Sequence, residues 1–514
     1  MHQPLERVAG AFSAQPAAGP AGESDAERVD RRRREPVRPA KVFLSPGPTA
    51  VPDEVRAACG RQVVLHRSRE FDRVSGFVLE GLRRLFRTEG RVVVFPCSGT
   101  GALEAAVVNT LSPGDRVLAV VMGLFGDRFA AIAEAYGLAV DRLEVPWGQV
   151  PTVEQVVARL RGGARPYHAV LLTHSETSTG ALLPLDRLVP AIREAAPETL
   201  VLVDMVSSFA AVPVAMDAWG IDVAVTGSQK ALMTPPGLGI VALGPRALEA
   251  VERARLPRFT WDLRPYLAGD GDFPYTPAVT LWFGLQAALE RIAAEGEENV
   301  YRRHRLLSAM VRAGVRALGL EPLVRDEDAS PTVTAVLLPA GIRPAEVIRR
   351  LEDEHGVVVV SAQGRLKDRA FRIGHMGAVS PADVLAGMAA LDAVLAPALA
   401  EAEPRDAGPG RHPGAAGARS AAAGPGGAGE ARGTAAAVGG APSAAPARAG
   451  TGSAWAAAQA VWEAFRRQSA SGAGDAAASA GSSPVTASPR GRTGSAAAAA
   501  GDARAAGDAR EVGA

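Results

Sequence analysis

The sequence is poor in cysteine, in lysine and in long apolar runs, and each shortage removes a class of protein. Its 514 residues include two cysteines, Cys59 and Cys97, too few for a disulfide framework or a cysteine-rich zinc site. No metal centre is expected. No apolar run approaches the roughly 20 residues of a membrane span, and the first 40 residues lack the compact apolar stretch of a secretory signal. The net charge of +1 is not the basic excess by which overall charge drives nucleic-acid binding. A cytoplasmic enzyme is expected, with neither nucleic acid nor membrane as a partner.

Lysine is scarcer still relative to arginine. Of 56 Lys plus Arg, only Lys41, Lys230 and Lys367 are lysine. A codon bias toward Arg, Ala, Gly and Pro accounts for the shortage. Arginine stays charged, whereas a desolvated lysine can lose its proton and become a nucleophile. A lysine in apolar surroundings therefore calls for a chemical reason.

Composition also divides the chain. Residues 1–40 are polar and Pro/Ala-rich, with four arginines between Asp30 and Glu35, and read as a disordered, solvated leader. Residues 399–514 read as a low-complexity tail: beyond residue 400 roughly 60% are Ala, Gly or Pro, and Leu, Ile and Met are absent. Such a tail buries too little apolar surface to offset its ordering entropy. One stretch, 454–467, differs, because Trp455, Ala458, Trp462 and Phe465 would share a face of a short helix. It reads equally as a docking helix for a partner and as a transient helix with none.

Between these flanks, Arg91–Phe95, Val117–Met122, Val170–Thr173, Leu200–Met205 and Val223–Thr226 read as buried strands. Ala102–Leu111, Phe129–Tyr136, Val153–Leu160 and Leu185–Ala195 read as helices between them. Strands apolar on both faces, alternating with helices, predict an α/β fold with a mainly parallel sheet covered by helices. That large domain with its N-terminal arm would span 41–297. A smaller C-terminal α+β domain would span 298–398, with helices Glu298–Leu318 and Pro344–His355, strands Thr332–Leu338, Val357–Ser361 and Phe371–Ile373, and a last helix from Pro381.

The chemistry gathers at the ends of these strands. In Thr226-Gly-Ser-Gln-Lys230, a lysine follows a buried-type strand at the sheet edge where open α/β folds place ligands. Desolvation there would lower its pKa and suit it to Schiff-base chemistry with an aldehyde cofactor. Leu200-Val-Leu-Val-Asp204 ends an apolar strand on a carboxylate, which needs a cation or several donors. The protonated ring nitrogen of pyridoxal phosphate is one such cation, and a turn-capping role before Ser207 is the plainer alternative. Cys97-Ser98-Gly99-Thr100-Gly101 follows another strand and opens a helix, an arrangement that suits a phosphate. It matches neither a P-loop nor a Rossmann fingerprint.

Taken in order, these segments resemble the class V, fold-type I pyridoxal-phosphate aminotransferases, in the serine/alanine–glyoxylate (serine–pyruvate) branch. The resemblance covers about 41–398 and also rests on Leu44-Ser-Pro-Gly-Pro48, His66-Arg-Ser, Gly123-Leu-Phe-Gly126, His174-Ser-Glu-Thr-Ser-Thr-Gly180, Tyr275-Thr-Pro277 and Phe371-Arg-Ile-Gly374. It implies that Lys230 holds the cofactor and shuttles the substrate proton, and that Asp204 pairs with the ring nitrogen. Ser98, Gly99, Thr100 and Gln229 would bind the phosphate, Thr177 the ring hydroxyl, and Phe125 would stack on the ring. Arg372 would take the substrate carboxylate, with Gly47 at the entrance. Family dimers share their active sites, so Thr276 and Tyr275 would complete the phosphate site of a partner subunit.

The resemblance further implies ping-pong transfer from serine or alanine to glyoxylate or pyruvate. A 2-aminoethylphosphonate transaminase, using His66, Arg67 and Arg69 on the phosphonate, stays open. So does a non-catalytic scaffold of the same fold acting through its tail. Cysteine desulfuration does not suit Cys59, early in the chain, or Cys97, beside the phosphate loop.

Overall fold

Val-rich runs with both faces apolar form the central sheet. The computed structural model describes residues 42–163, 165–269, 273–402 and 452–480. The leader and most of the tail therefore lie outside the described residues, as does Lys41. The sheet has seven strands in the order β2 (Arg91–Phe95), β10 (Gly239–Leu243), β9 (Val223–Gly227), β8 (Leu200–Asp204), β5 (Ala169–Thr173), β3 (Arg116–Val121) and β4 (Ala139–Glu144). Strand β10 runs antiparallel to both neighbours, and every other pairing is parallel.

Side chains along each strand alternate between two cores. Val92, Val94, Leu118, Val120, Val170, Leu172, Val201 and Val203 face one, shared with Phe71, Phe86 and Trp282. Val93, Phe95, Val117, Ala119, Val121, Leu171 and Leu202 face the other, against the helix Gly99–Thr110. The period of two, apolar on both sides, is what helices on both faces require.

Two strands of this central sheet escape the sequence reading. Strand β4 is a half-exposed edge carrying Asp141 and Arg142, so its polarity conceals it. Strand β10 is a five-residue apolar run just past Pro235-Pro236-Gly237, too short for periodicity to separate from a helix segment. The helix expected at Phe129–Tyr136 spans Leu124–Ala135, five residues earlier, because side chains outside the helix cap its first turn.

A smaller α+β layer follows. Strands β11 (Val333–Leu337), β14 (Ala370–Gly374) and β13 (Val360–Ser361) form an antiparallel sheet. They pack with helices Glu297–Ala317, Pro344–His355 and Pro381–Ala402 around Leu307, Met310, Phe371, Ile373, Met388 and Leu391. Where the described residues begin, β1 (Val42–Phe43) pairs in parallel with β12 (Val357–Val358), so the N-terminal arm is anchored here. The remaining pair, β6 (Ser175–Glu176) and β7 (Ala181–Leu182), forms a hairpin beside the site.

Pro381–Ala400 is long and apolar enough to cross a membrane by length and composition, although Asp383 and Asp392 interrupt any continuous apolar run. Its Val384, Met388, Leu391 and Leu395 lie in the core of the small layer, as in the core helix of a globular domain. The tail stretch forms the helix Ala454–Ala480. Up to Phe465 it belongs to the same compact unit as the rest of the fold.

Candidate active site

The strand ends converge on a cavity of about 260 Å³ lined by Gly47, Ser98, Gly99, Thr100, Phe125, Thr177, Asp204, Gln229 and Lys230, with Arg128 and Ser207. Register explains the meeting: Thr173 at the end of β5 pairs with Asp204 at the end of β8, and β9 leads directly to Lys230.

Lys230 is buried, and its Nζ donates to the Pro46 carbonyl at 2.6 Å. Burial, aided by the Arg372 charge and opposed by Asp204, lowers its pKa to about 8. The arm carrying Pro46 approaches closely at Gly47, whose φ is +139° and where any Cβ would overlap the lysine Nζ. Of the other two lysines, Lys367 is exposed on a turn and Lys41 is outside the described residues. Asp204 is also buried, with Oδ1 accepting from the Val206 amide at 2.8 Å. Burial pushes its carboxyl up to about 7, a rise that the Val206 bond opposes and the Glu176 charge reinforces.

The phosphate corner is built from leftover donors. Ser98 caps the helix Gly99–Thr110 by accepting from the Gly101 amide at 3.3 Å, and its carbonyl takes the Ala102 amide. The Gly99 and Thr100 amides are then the first-turn donors without a helical partner. A Cβ at Gly99 would lie 2.7 Å from Val206 Cγ2, so the loop after Asp204 needs glycine there. The buried Gln229 Oε1, at the same corner, has no partner.

Arg372 lies on β14 with 6% exposure. Its Nη1 donates to the Thr177 carbonyl at 3.1 Å, and Nε and Nη2 donate to the Ser361 carbonyl at 3.1 and 3.0 Å. Carbonyls orient the guanidinium without neutralising it. Burial lowers its pKa to about 10, against the opposing pull of Glu176.

Two residues were given no role by the sequence reading. Glu176 is fully buried, and its oxygens act only as acceptors. Oε2 takes the Phe125 and Gly126 amides at 3.0 Å each, and Oε1 takes the Ser178 amide at 3.0 Å and its hydroxyl at 2.6 Å. Ser178 Oγ in turn accepts from the Leu124 amide at 3.0 Å. Gly123 precedes the helix Leu124–Ala135 and has no side chain to cap it, so the 176–178 segment caps the turn that carries Phe125. Arg128, one turn beyond Phe125, lies 4.8 Å over its ring and donates to Thr100 Oγ1 at 3.4 Å. The available signals were the carboxylate within His174–Gly180 and the i, i+3 spacing from Phe125.

Some expected residues are not brought together. Tyr275 packs against Phe259 and Tyr266, Thr276 is exposed, and neither lines this cavity within one chain. His66, Arg67 and Arg69 do not line it either. Among the described residues no cluster of three or more His, Cys, Asp or Glu is placed to hold a metal ion.

These groups suit pyridoxal phosphate. Leftover backbone amides meet a phosphate, a buried carboxylate meets a ring nitrogen, and a lysine of lowered pKa meets an aldehyde. Comparison with known proteins agrees. The family model for aminotransferase class-V matches residues 43–366. The chain belongs to the class-V aminotransferases.

As a member of that family it is a pyridoxal-phosphate-dependent transaminase. It is 41% identical over 69% of its length to the L-aspartate–glyoxylate aminotransferase of Paracoccus denitrificans, covering 91% of that protein. It is also 41% identical to a Synechococcus protein named soluble hydrogenase, small subunit, over 69% of this chain and 93% of the relative. Among solved structures, the alanine–glyoxylate aminotransferase of a Nostoc species superposes with a TM-score of 0.67 at 32% identity, covering 71% of this chain and 99% of that one.

Proposed function

We propose that this transaminase moves the amino group of a small amino acid, serine or alanine, to a small 2-oxo acid, glyoxylate or pyruvate, in a ping-pong cycle at one site. The observation that carries this reading is a buried Lys230 of lowered pKa in the same cavity as Asp204, with Arg372 held behind it on the carbonyl of the lining residue Thr177. Relatives named serine–glyoxylate aminotransferase, such as that of Arabidopsis thaliana at 35% identity, support the choice of substrates.

Bound pyridoxal phosphate supplies the aldehyde that exchanges the amino group and the electron sink for charge at the substrate Cα. Arg372 binds the substrate carboxylate through its planar fork and so places Cα within reach of Lys230. Lys230 Nζ takes the Cα proton and later returns one, a task suited to an amine titrating near neutrality. Asp204 anchors the ring nitrogen, whose positive charge would restore a carboxylate that burial otherwise protonates. Ser98, Gly99, Thr100 and Gln229 would hold the phosphate, Phe125 would face the ring, and Thr177 would meet its hydroxyl.

Two copies of the chain would share their sites, with Tyr275 and Thr276 of each reaching the other's phosphate corner. Exposed Phe259, Val63, Leu65 and Phe77 are the apolar surface such a dimer would cover. A redox-metal reading prompted by the hydrogenase-named relative finds no support here. Among the described residues neither Cys59 nor Cys97 belongs to a group of three or more His, Cys, Asp or Glu that could hold a metal ion.

Absorbance and donor profiling test the reading together. The purified protein should show a visible cofactor band that serine or alanine bleaches and glyoxylate or pyruvate restores. Lys230→Ala should lower turnover by about four orders of magnitude. Turnover at the parent rate in that variant overturns the mechanism. A panel in which aspartate outperforms both serine and alanine overturns the choice of donor.

A further inference from the structure

The tail helix falls outside the family match, which ends at residue 366, yet it has a prepared seat on the small layer. Its start is held by a carboxylate of another helix. Asp392, on Pro381–Ala402, accepts from the Ala454 amide and the Ser453 hydroxyl at 2.6 Å each and from the Trp455 amide at 3.0 Å. These are first-turn donors that a helix leaves unsatisfied, and an anion there also meets the positive end of the helix dipole. Ser453 Oγ adds a local cap by accepting from the Ala456 amide at 3.3 Å.

Below the cap the contact is close-packed. Ala454 and Ala458 are fully buried in the same core as Phe371 and Ile373, the neighbours of Arg372, and Val461, Trp462 and Phe465 pack against that core. Gly314 makes the approach possible: a Cβ there would lie 2.8 Å from the Ala454 carbonyl. At the far end, the Arg302 guanidinium lies 5.4 Å over the Phe465 ring. A helix start bound to a carboxylate, two buried alanines one turn apart, a helix carbonyl seated over a glycine, and an aromatic under an arginine specify the occupant of this seat.

We propose that Ser453–Phe465 is a tethered clasp, docked in cis on its own small layer, which stabilises the core behind the Arg372 strand. Fifty residues separate Ala402 from Ser453, and a chain of that length can span up to about 170 Å. The step back from Ala402 to the level of Asp392 is ten helical residues, roughly 15 Å. Tethering at that range gives effective concentrations on the order of millimolar, so a chain's own tail outcompetes a neighbour's at ordinary protein concentrations.

Hydrogen exchange of the full chain, with melting and light scattering, decides the matter. Ala458→Glu alters only the tail. It should speed amide exchange in 456–465 more than about tenfold, because it would place a charge in an apolar core. It should also raise exchange in 306–317 and 384–399 and lower the melting midpoint. Asp392→Ala should give a smaller, roughly fivefold rise in 456–465. A synthetic peptide of residues 450–468, added to the Ala458→Glu chain, should restore protection to 306–317. Fast exchange of 456–465 in the parent chain overturns docking, and unchanged melting of Ala458→Glu overturns the clasp. A parent mass that exceeds that of Ala458→Glu, and grows with concentration, overturns docking in cis.

Discussion

The cofactor cavity and the core of the small layer bury titratable groups in opposite ways. Lys230, Asp204 and Arg372 are buried without an ion pair among the described residues, and burial drives each toward its neutral form. In the small layer, His304 and His375 are buried and fully partnered. His304 uses the Val300 carbonyl at 2.7 Å and the Gly377 amide at 3.1 Å. His375 uses the Pro331 carbonyl and Thr334 Oγ1, each at 2.9 Å. The first arrangement keeps charge available for a ligand, whereas the second fixes neutral rings by hydrogen bonds. The molecule thus accepts instability where it reacts and avoids it where it only holds shape.

The largest break in that contrast should come from Asp204→Asn. Its carboxyl titrates near 7 in the folded protein, above the ordinary value. Stability from this group is therefore complete in acid and is lost as pH rises through about 7. Removing the acid should cost about 10²–10³ in turnover, yet raise the melting midpoint of the cofactor-free protein at pH 8. Calorimetry beside steady-state kinetics checks both, and a lower midpoint would erase the contrast.

Arg372→Lys probes the same cavity with a smaller effect. A lysine keeps the charge but loses the fork, so KM for the amino donor should rise roughly 10–100-fold, while kcat falls less. Equal losses in both constants would place Arg372 in the chemical step rather than in binding.

The histidines should show the opposite pH behaviour. Burial lowers His304 to about 3 and His375 to about 4. The unfolded chain takes up protons below about 6.5 while these rings stay neutral. Their contribution is therefore whole above that pH and declines as pH falls toward 4, by about 1.4 kcal/mol per pH unit for each ring. Urea titrations from pH 7 to 4 should show this slope. His304→Gln should remove one ring's share of it, about 1.4 kcal/mol per pH unit, while leaving turnover per folded molecule unchanged.

Much of this was legible in the sequence, for physical reasons. Val92–Phe95 and Leu200–Val203 announce a doubly covered sheet because both faces must be apolar. Lys230 stands out because arginine replaces lysine almost everywhere else. Strand β4 was hidden because an edge may be polar. The capping of Phe125 was hidden because Glu176 lies 51 residues from it, and such pairings leave no local pattern.

The tail is the clearest miss in detail. Periodicity selected Trp455 for the buried face, but it is 42% exposed and Ala454 takes its place. Aromatics dominate a hydrophobicity count, but where two helices approach at a glycine, small residues set the contact. Composition set 454–467 apart as a possible helix, and a helix stands there; what composition could not show is the capping carboxylate and the core that the preceding domain supplies.

Glu176→Gln sharpens the opening contrast, because Glu176 is a fully satisfied buried group behind Phe125 and Thr177, which line the reactive cavity. The amide matches the carboxylate in shape but replaces one acceptor oxygen with a donor. Either the Phe125 and Gly126 amides or the Ser178 amide and hydroxyl would then face an N–H group. Leaving such donors unpaired costs about 1–3 kcal/mol, so the melting midpoint should fall, opposite to the effect of Asp204→Asn. Losing the charge should also lower the pKa of Asp204, which Glu176 raises. A loosened first turn under Phe125 should weaken cofactor retention by up to about tenfold, read as Kd from the visible band. If the midpoint fell while Kd stayed at the parent value, Glu176 would belong with the histidines as a purely structural group. If both moved, the cavity would contain its own small region built on the rules of the core, set there to hold the aromatic wall in place.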